Sequence, residues 1–209
     1  MSNKRKLTKA EEKRLILFNQ VSEDLISKGY RRVDLIGNHI KANIIGPLYG
    51  LIVSLPFIIL LILISPDSFI VGDNYSRNYL IAMVLMLVFI VIHELIHGIT
   101  FSSFTEEKFK NIEFGIIWRT LNPYCTCKKP LKEKEYILGL IMPCIILGII
   151  PCVISLINKN AWFLATGVLQ IASAGGDLYI LKMILDSRNN LESIYLDHPT
   201  DIGLAKFER

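Results

Sequence analysis

The sequence predicts an all-α polytopic membrane protein with four transmembrane helices, a cytoplasmic amphipathic helix at the N-terminus, and a small cytoplasmic β-hairpin between transmembrane helices 2 and 3. Three observations predict this fold class. Hydrophobic residues make up 52% of the 209 residues, most of them lie in four apolar blocks, and the intervening segments alternate in Lys and Arg content. Each block has about 20 residues or more, the length that a helix needs to cross a bilayer. The predicted spans are 43–64, 79–101, 137–157 and 161–185.

The N-terminal segment, residues 1–42, is polar and basic and is predicted to contain one amphipathic helix. Thr8 and Glu11 have the spacing of a capping box, and Gly29 suits the end of the helix. A mostly apolar stripe lies between them at helical spacing: Leu15, Phe18, Val21, Ser22 and Leu25. Two interpretations remain open, a helix on the inner membrane surface and a solvated extension with one apolar face. No cleavable signal sequence is expected, so the first apolar block is predicted to be a retained membrane helix.

Two of the predicted spans contain prolines. Pro47 and Pro56 lie in the first span, and Pro143 and Pro151 lie in the third. Proline removes a helical hydrogen bond, and in a membrane neighbouring helices can satisfy the group that is released. Both spans are therefore expected to be kinked or bent.

The segment between the second and third spans is predicted to form a β-hairpin close to the membrane. Residues 112–118 and 124–128 are short runs that favour strands, and Asn122-Pro123 between them is a turn signal. The spans themselves define a transmembrane domain over 43–185, followed by a cytoplasmic tail over 186–209.

The distribution of Lys and Arg predicts the orientation of the helices. Ten lie before the first span, one in 65–78, seven in 102–136, one in 158–160, and four from Lys182 onward. By the positive-inside rule, both termini and the central loop face the cytoplasm at the cell membrane. The formal net charge of +4 then indicates contact with anionic membrane lipids. No basic patch with interleaved aromatics indicates a nucleic-acid partner.

The second span carries the motif His93-Glu94-Leu95-Ile96-His97. On a helix, this spacing places two imidazoles one turn apart on one face, where they can bind Zn2+. Glu94 is then free to act as general base on a water that the metal activates. A charge at the centre of a span costs roughly 2.5–3.5 kcal/mol, and a purely structural helix gains nothing from Glu94. The alternative is that these groups make interhelical polar contacts without a metal.

A catalytic zinc site needs a third protein ligand, and Asp177 is the preferred candidate. It is the only acidic residue in the fourth predicted span. Because the second and fourth spans both run inward, His93 and Asp177 each lie eight residues from the cytoplasmic edge and thus at one depth. Small residues before Asp177 allow close helix approach and local loosening of the helix. Asp177 could instead pair with Lys182, and the rival third ligands are Glu106, Glu107, Glu113, Asp186 and His198.

The four cysteines are expected to stay reduced. Cys125 and Cys127 lie in the cytoplasmic loop, whereas Cys144 and Cys152 lie in the third span, most simply as core residues. The single residue between Cys125 and Cys127 is too short a spacing for a zinc knuckle. This pair is either a packed or exposed end of the hairpin, or a regulatory thiol or second metal site.

The run from His93 to Gly98 within a membrane helix resembles intramembrane zinc metalloproteases of the site-2 protease type. Their third zinc ligand is an Asp on a later membrane helix, which maps onto Asp177. The chain departs from their pattern, because their Asp usually precedes a Gly, whereas here Gly175 and Gly176 precede the Asp.

The sequence is more similar to a family of small bacterial membrane proteins described as "putative zincin peptidase". That family carries an H-E-L-x-H-G run, a Tyr-Cys-x-Cys-Lys-x-Pro-Leu segment (124–131 here), a Gly-Asp in the last span, and an Asp-His-Pro near the C-terminus (197–199 here). The similarity covers most of the chain after the N-terminal helix. It implies hydrolysis of a peptide or membrane-protein substrate near the cytoplasmic membrane face, with His93, His97 and Asp177 as zinc ligands and Glu94 as the catalytic base.

Two other classes of function remain open. The first is a metal-dependent membrane binding or transport protein without hydrolysis, since ionisable residues within spans also mark ion pathways. The second is a catalytically silent membrane adaptor. A transport site would tolerate Glu94→Gln, a hydrolase would lose turnover but keep zinc, and an adaptor would hold no stoichiometric zinc.

Overall fold

The computed structural model of the protein describes residues 7–69, 75–117 and 122–209, and these ranges are mostly helical. Their α-helices are α1 (Lys9–Ser27), α2 (His39–Ile64), α3 (Tyr75–Ser103), α4 (Glu133–Pro143), α5 (Ile150–Asn158), α6 (Ala161–Ser173) and α7 (Gly175–Asp186). Their strands are β1 (Arg31–Ile36), β2 (Ile112–Ile117), β3 (Asn122–Cys127), β4 (Leu131–Lys132), β5 (Ser193–Asp197) and β6 (Gly203–Glu208). A π-helical segment, Cys144–Ile149, joins α4 to α5.

Three helical segments of the described chain are long and apolar enough to cross a membrane: Ile40–Ile64, Val84–Ser103 and Glu133–Asn158. They correspond to the first three predicted spans. The fourth predicted span, 161–185, is not one continuous helix. Instead, α6 and α7 meet at Ala174 and are bent by 50°, so they make a fourth crossing only if the bent pair is one span. The break falls among the small residues that were expected to loosen the helix.

A four-stranded antiparallel sheet, which was not predicted, joins distant parts of the chain. Its strand order is β1-β6-β5-β4. Residues 186–209, predicted as a tail, supply its two central strands. The paired residues Arg31 and Glu208 are 177 positions apart, and short strands carry no local signal for pairing at that distance. The all-α prediction is therefore incomplete in this part of the fold.

The sheet lies between α1 and the apolar helices. One face packs against α3, α4 and α7 through a cluster that includes Phe101, Tyr136, Leu140, Ile184, Tyr195 and Leu204. The opposite face packs against α1 through Phe18, Leu25, Leu196, Ala205 and Phe207. Adjacent residues of β5 and β6 alternate between the two clusters, as expected for a sheet buried on both faces.

The N-terminal helix begins at the predicted capping box. The Glu11 backbone N–H donates to Thr8 Oγ1 (3.3 Å), and the Thr8 backbone N–H donates to the Glu11 carboxylate (2.8 Å). The apolar stripe of α1, expected to face the membrane or solvent, is instead covered by the sheet, because Phe18 and Leu25 are buried there.

The predicted hairpin is formed by β2 and β3, with Phe114 opposite Cys125. Asn122 and Pro123, predicted as the turn, are instead the first residues of β3. The residues between the strands, 118–121, lie outside the described ranges. The Lys128 N–H donates to the Asn111 carbonyl (2.8 Å), so the alternation of antiparallel pairs leaves Pro123 in a non-hydrogen-bonded pair. Its missing N–H would point away from β2, and proline is tolerated there.

Candidate metal centre

The H-E-x-x-H motif lies in the C-terminal half of α3 and directs two imidazoles to one face. His93 and His97 are both buried, and their Nε2 atoms are 3.2 Å apart. Two unprotonated imidazole nitrogens present only lone pairs to each other at this distance, which is repulsive. A proton or a cation between them removes the repulsion.

Asp177 meets the two histidines from the first turn of α7, where the helix dipole stabilises negative charge. Its Oδ2 lies 3.1 Å from His93 Nε2, and its Oδ1 lies 3.4 Å from His97 Nε2. A tetrahedral ion with ligand bonds of about 2.0–2.2 Å holds its ligand atoms about 3.3–3.6 Å apart. The separations between the three groups are 3.1 to 3.4 Å, with a different carboxylate oxygen facing each ring. With one ligand atom from each residue, all three atoms lie within 4.8 Å of one another, so this set of two imidazoles and a carboxylate can hold zinc.

The orientation of His97 is fixed by α4. His97 Nδ1 lies 2.9 Å from the Gly139 carbonyl oxygen, which can only accept, so Nδ1 donates and the neutral ring presents its Nε2 lone pair. Pro143 lies four residues after Gly139 and has no N–H, so the Gly139 carbonyl has no α-helical donor from that position. Gly139 was not among the predicted site residues, although the proline at i+4 is a signal that could have indicated a free carbonyl.

Glu94 is half-buried beside the two ligand histidines. Within the described part of the chain, its carboxylate makes no hydrogen bond or ion pair. It nevertheless lies close enough to interact electrostatically with His97, His93 and Asp177. An unpaired carboxylate next to a candidate metal centre is available to take a proton.

A close backbone contact between α2 and α7 lies two residues before Asp177. A Cβ added at Gly175 would lie 2.3 Å from the Gly46 carbonyl carbon and 2.4 Å from the Pro47 nitrogen. Such distances are far inside van der Waals contact, so only glycine fits there. Gly176, the next residue, has no atom within 4 Å of an added Cβ. The close helix approach at Gly175 is therefore to α2, whereas the sequence predicted an approach to the span that carries His93 and His97.

The rival third ligands do not join the histidines. In the described ranges, His93, His97 and Asp177 form the only group of three or more His, Cys, Asp or Glu side chains spaced for a metal. Asp186 pairs with Lys182 at 2.6 Å, so Lys182 is not the partner of Asp177. The other rivals lie outside the apolar helices: Glu106, Glu107, Glu113 and His198.

The cysteines are free thiols with little tendency to ionise in the hairpin. Burial raises the pKa of Cys125, and nearby carboxylates including Glu94 add to the effect. Burial also raises the pKa of Cys127 to about 11. Protonated thiols are weak nucleophiles and weak metal ligands, which favours packing over a regulatory role. Cys144 and Cys152 are buried core residues, as predicted.

The fold and the site together define a class of protein: a chain with several helices that are long and apolar enough to cross a membrane, and a candidate metal centre of H-E-x-x-H plus Asp. The family described as "putative zincin peptidase" matches residues 86–191, which include the motif and Asp177. The chain belongs to this family, and the family supports a metallopeptidase. Searches of curated proteins and of solved structures find no match.

Proposed function

We propose that the protein is a zinc-dependent, membrane-embedded metallopeptidase of the site-2 protease type that hydrolyses a peptide bond near the cytoplasmic face of the cell membrane. The observation that carries the proposal is the grouping of His93, His97 and Asp177, which each offer one ligand atom within 4.8 Å of the other two. The carboxylate of Glu94 lies beside these ligands and has no hydrogen-bond or ion-pair partner among the described residues, which favours hydrolysis over metal transport or a silent adaptor.

The roles of the residues follow from their positions. Zinc bound by His93, His97 and Asp177 would supply a Lewis acid that acidifies water and polarises a carbonyl. Glu94 accepts a proton from the attacking water as the water oxygen bonds to the scissile carbonyl carbon. Glu94 then returns this proton to the leaving nitrogen as the C–N bond breaks. The bond from His97 Nδ1–H to Gly139 keeps Nε2 of that ring directed at the centre.

The four-stranded sheet supports the proposed topology. Two helical passes, α2 and α3, separate β1 from β4, and the passes α4–α5 and α6–α7 separate β4 from β5. Strands that pair in one sheet lie on one side of a membrane, so an even number of crossings must separate them. Four crossings with both termini in the cytoplasm, as Lys and Arg predict, meet this requirement. The basic residues on that side are then placed to contact anionic lipids.

The hairpin offers a backbone edge for a peptide or membrane-protein substrate. Cys125 is in a non-hydrogen-bonded pair with Phe114, so its N–H and carbonyl point away from β2. On the same edge Pro123 has no N–H, and the Cys127 N–H donates to Asp197 Oδ2 (2.9 Å). Cys125 also lies close enough to Glu94 to interact with it electrostatically. An extended substrate that pairs with Cys125 would therefore run beside the proposed base.

Metal analysis of the purified protein in mild detergent tests the proposal. We expect about one zinc per chain in the wild type and a large loss in His97→Ala and Asp177→Ala. Asp186→Ala, which removes an exposed acid at the end of α7, is the matched control and is expected to keep zinc. A wild type without zinc would overturn the proposed function. Full retention of zinc in Asp177→Ala would overturn only the third ligand.

A further inference from the structure

Asp197, at the end of β5, connects the sheet to two other elements through a single carboxylate. Its Oδ1 accepts a hydrogen bond from the hydroxyl of Tyr136 in α4, and its Oδ2 accepts one from the backbone N–H of Cys127 at the end of β3. Tyr136 is almost fully buried, so few other partners are open to its hydroxyl. One side chain thus holds the position of α4 and of the hairpin relative to the sheet.

The helix that Asp197 holds is the one that orients His97. Tyr136 and Gly139 are one turn apart in α4, and the Gly139 carbonyl accepts the His97 Nδ1–H at 2.9 Å. Aromatic packing also connects Tyr136 to His97. The Phe101 ring stacks on the His97 ring with 5.9 Å between centroids, and its centroid lies 5.6 Å from that of the Tyr136 ring. A Cβ added at Gly139 would lie 2.0 Å from Phe101, so the ring fills the space against α4.

We propose that Asp197 is a positioning residue for the metal centre, which through Tyr136 and α4 sets where the Gly139 carbonyl meets His97. The inference rests on the proposed function, because it assumes that His97 binds zinc. In the described part of the chain Asp197 makes no hydrogen bond to the proposed ligands, although its charge lies close enough to His97 to interact with that ring electrostatically. The positioning effect is transmitted by hydrogen-bond geometry, and a neutral variant separates it from this direct charge interaction.

Hydrogen bonds, and not the charge of Asp197, carry this role. Burial raises the pKa of Asp197, although the bonds from Tyr136 and Cys127 act in the opposite direction. A neutral amide of the same shape can reproduce both contacts, since its oxygen accepts from the Cys127 N–H and its nitrogen donates to the Tyr136 oxygen. Asp197→Asn is thus a conservative variant that keeps the geometry, whereas Asp197→Ala removes both contacts and Tyr136→Phe removes one.

The test measures zinc affinity by chelator competition, together with the melting temperature of the metal-free protein, on the full chain in detergent. We expect the zinc dissociation constant to rise about tenfold in Tyr136→Phe and Asp197→Ala, within the range for outer-shell partners of metal ligands. Asp197→Asn is expected to bind zinc as the wild type does. Leu25→Ala, on the opposite face of the sheet, is the control: it should lower the melting temperature without changing zinc affinity.

Each other outcome contradicts the inference in a recognisable way. Unchanged zinc affinity in Tyr136→Phe and Asp197→Ala, with lower melting temperatures, would leave Asp197 a purely structural residue. An equal loss in Asp197→Asn would assign the effect to charge. An equal loss in Leu25→Ala would assign it to general destabilisation. If the wild type itself binds no zinc, the proposed function fails together with this inference. If the wild type binds zinc and only the variants behave otherwise than expected, this inference alone fails.

Discussion

Which ring nitrogen of His97 carries the hydrogen determines whether this histidine of α3 can bind a metal. In His97, donation from Nδ1 to a backbone carbonyl leaves Nε2 as the lone pair that faces His93 and Asp177. That carbonyl is accessible because Pro143 supplies no helical donor to it. A proline in α4 therefore helps to define the tautomer of a histidine 46 positions earlier in the chain.

Replacing Glu94 by Gln separates catalysis from metal binding. Glu94 is not placed among the ligand atoms, so zinc content is expected to stay at the wild-type level. Peptide hydrolysis is expected to fall by about 10²–10⁴, the usual contribution of a general base. Glu106→Gln, an exposed acid just after α3, is the matched control and should keep full turnover. Wild-type turnover in Glu94→Gln would remove Glu94 from the mechanism.

At the scale of elements, the break between α6 and α7 is what brings Asp177 to the histidines. Because of the bend of 50° at Ala174, Asp177 lies in the first turn of α7 and not in the middle of a long helix, and from there its carboxylate reaches the histidines of α3. The contact between Gly46 and Gly175 sets the distance between α2 and α7 at the same level. The third ligand thus depends on a glycine pair that itself carries no chemistry.

Gly175→Ala is expected to weaken zinc binding, because the added Cβ would push the backbone of α7 away from α2 and shift Asp177. The free energy of unfolding should also fall by about 1–3 kcal/mol, as in other overpacked sites. Gly176→Ala has open space around the added Cβ and is expected to keep both zinc and stability. Zinc titration and denaturation of the two variants provide the measurement. Equal behaviour of the two would show that the Gly46 contact does not position Asp177.

The elements that could be predicted are those with a strong local pattern. The apolar spans, the capping box before α1 and the two strands of the hairpin each have such a signal, and so does the spacing of His93 and His97. Asp177 could be predicted because an acidic residue stands out in an apolar span, and because its depth in the membrane could be estimated by counting residues from the end of the span. The four-stranded sheet could not be predicted, because β1 pairs with β6 and most of the chain separates these two strands. The role of Tyr136 was hidden for the same reason, since its partner Asp197 is distant in sequence.

The molecule as a whole has three layers: α1, the four-stranded sheet, and the apolar helices. All strands of the sheet come from segments that precede α2, follow α3 or follow α7. They therefore gather at one end of the helices, and the metal centre lies close to that end. The sheet can act as a rigid base for the centre because both of its faces are packed.

This arrangement predicts which side of the membrane each exposed position faces. Cysteines introduced at Lys28 and Glu192 should react with a membrane-impermeant maleimide only from the cytoplasmic side. A cysteine at Lys159, in the turn between α5 and α6, should react only from the opposite side. Labelling of the wild type gives the background from the native thiols. Reaction of the Lys28 and Glu192 positions from different sides would be incompatible with the pairing of β1 and β6.

The central place of β6 in the sheet has a consequence for the timing of synthesis. β1 leaves the ribosome before the apolar helices, yet the strand with which it pairs is translated after all of them. A nascent chain that has inserted His93, His97 and Asp177 still lacks residues 193–208, including the carboxylate that holds α4. If the centre needs that support, the protein becomes competent only once β5, which carries Asp197, and β6, which joins β5 to β1, have both been made. It is then unable to cleave neighbouring nascent chains while it is itself being inserted.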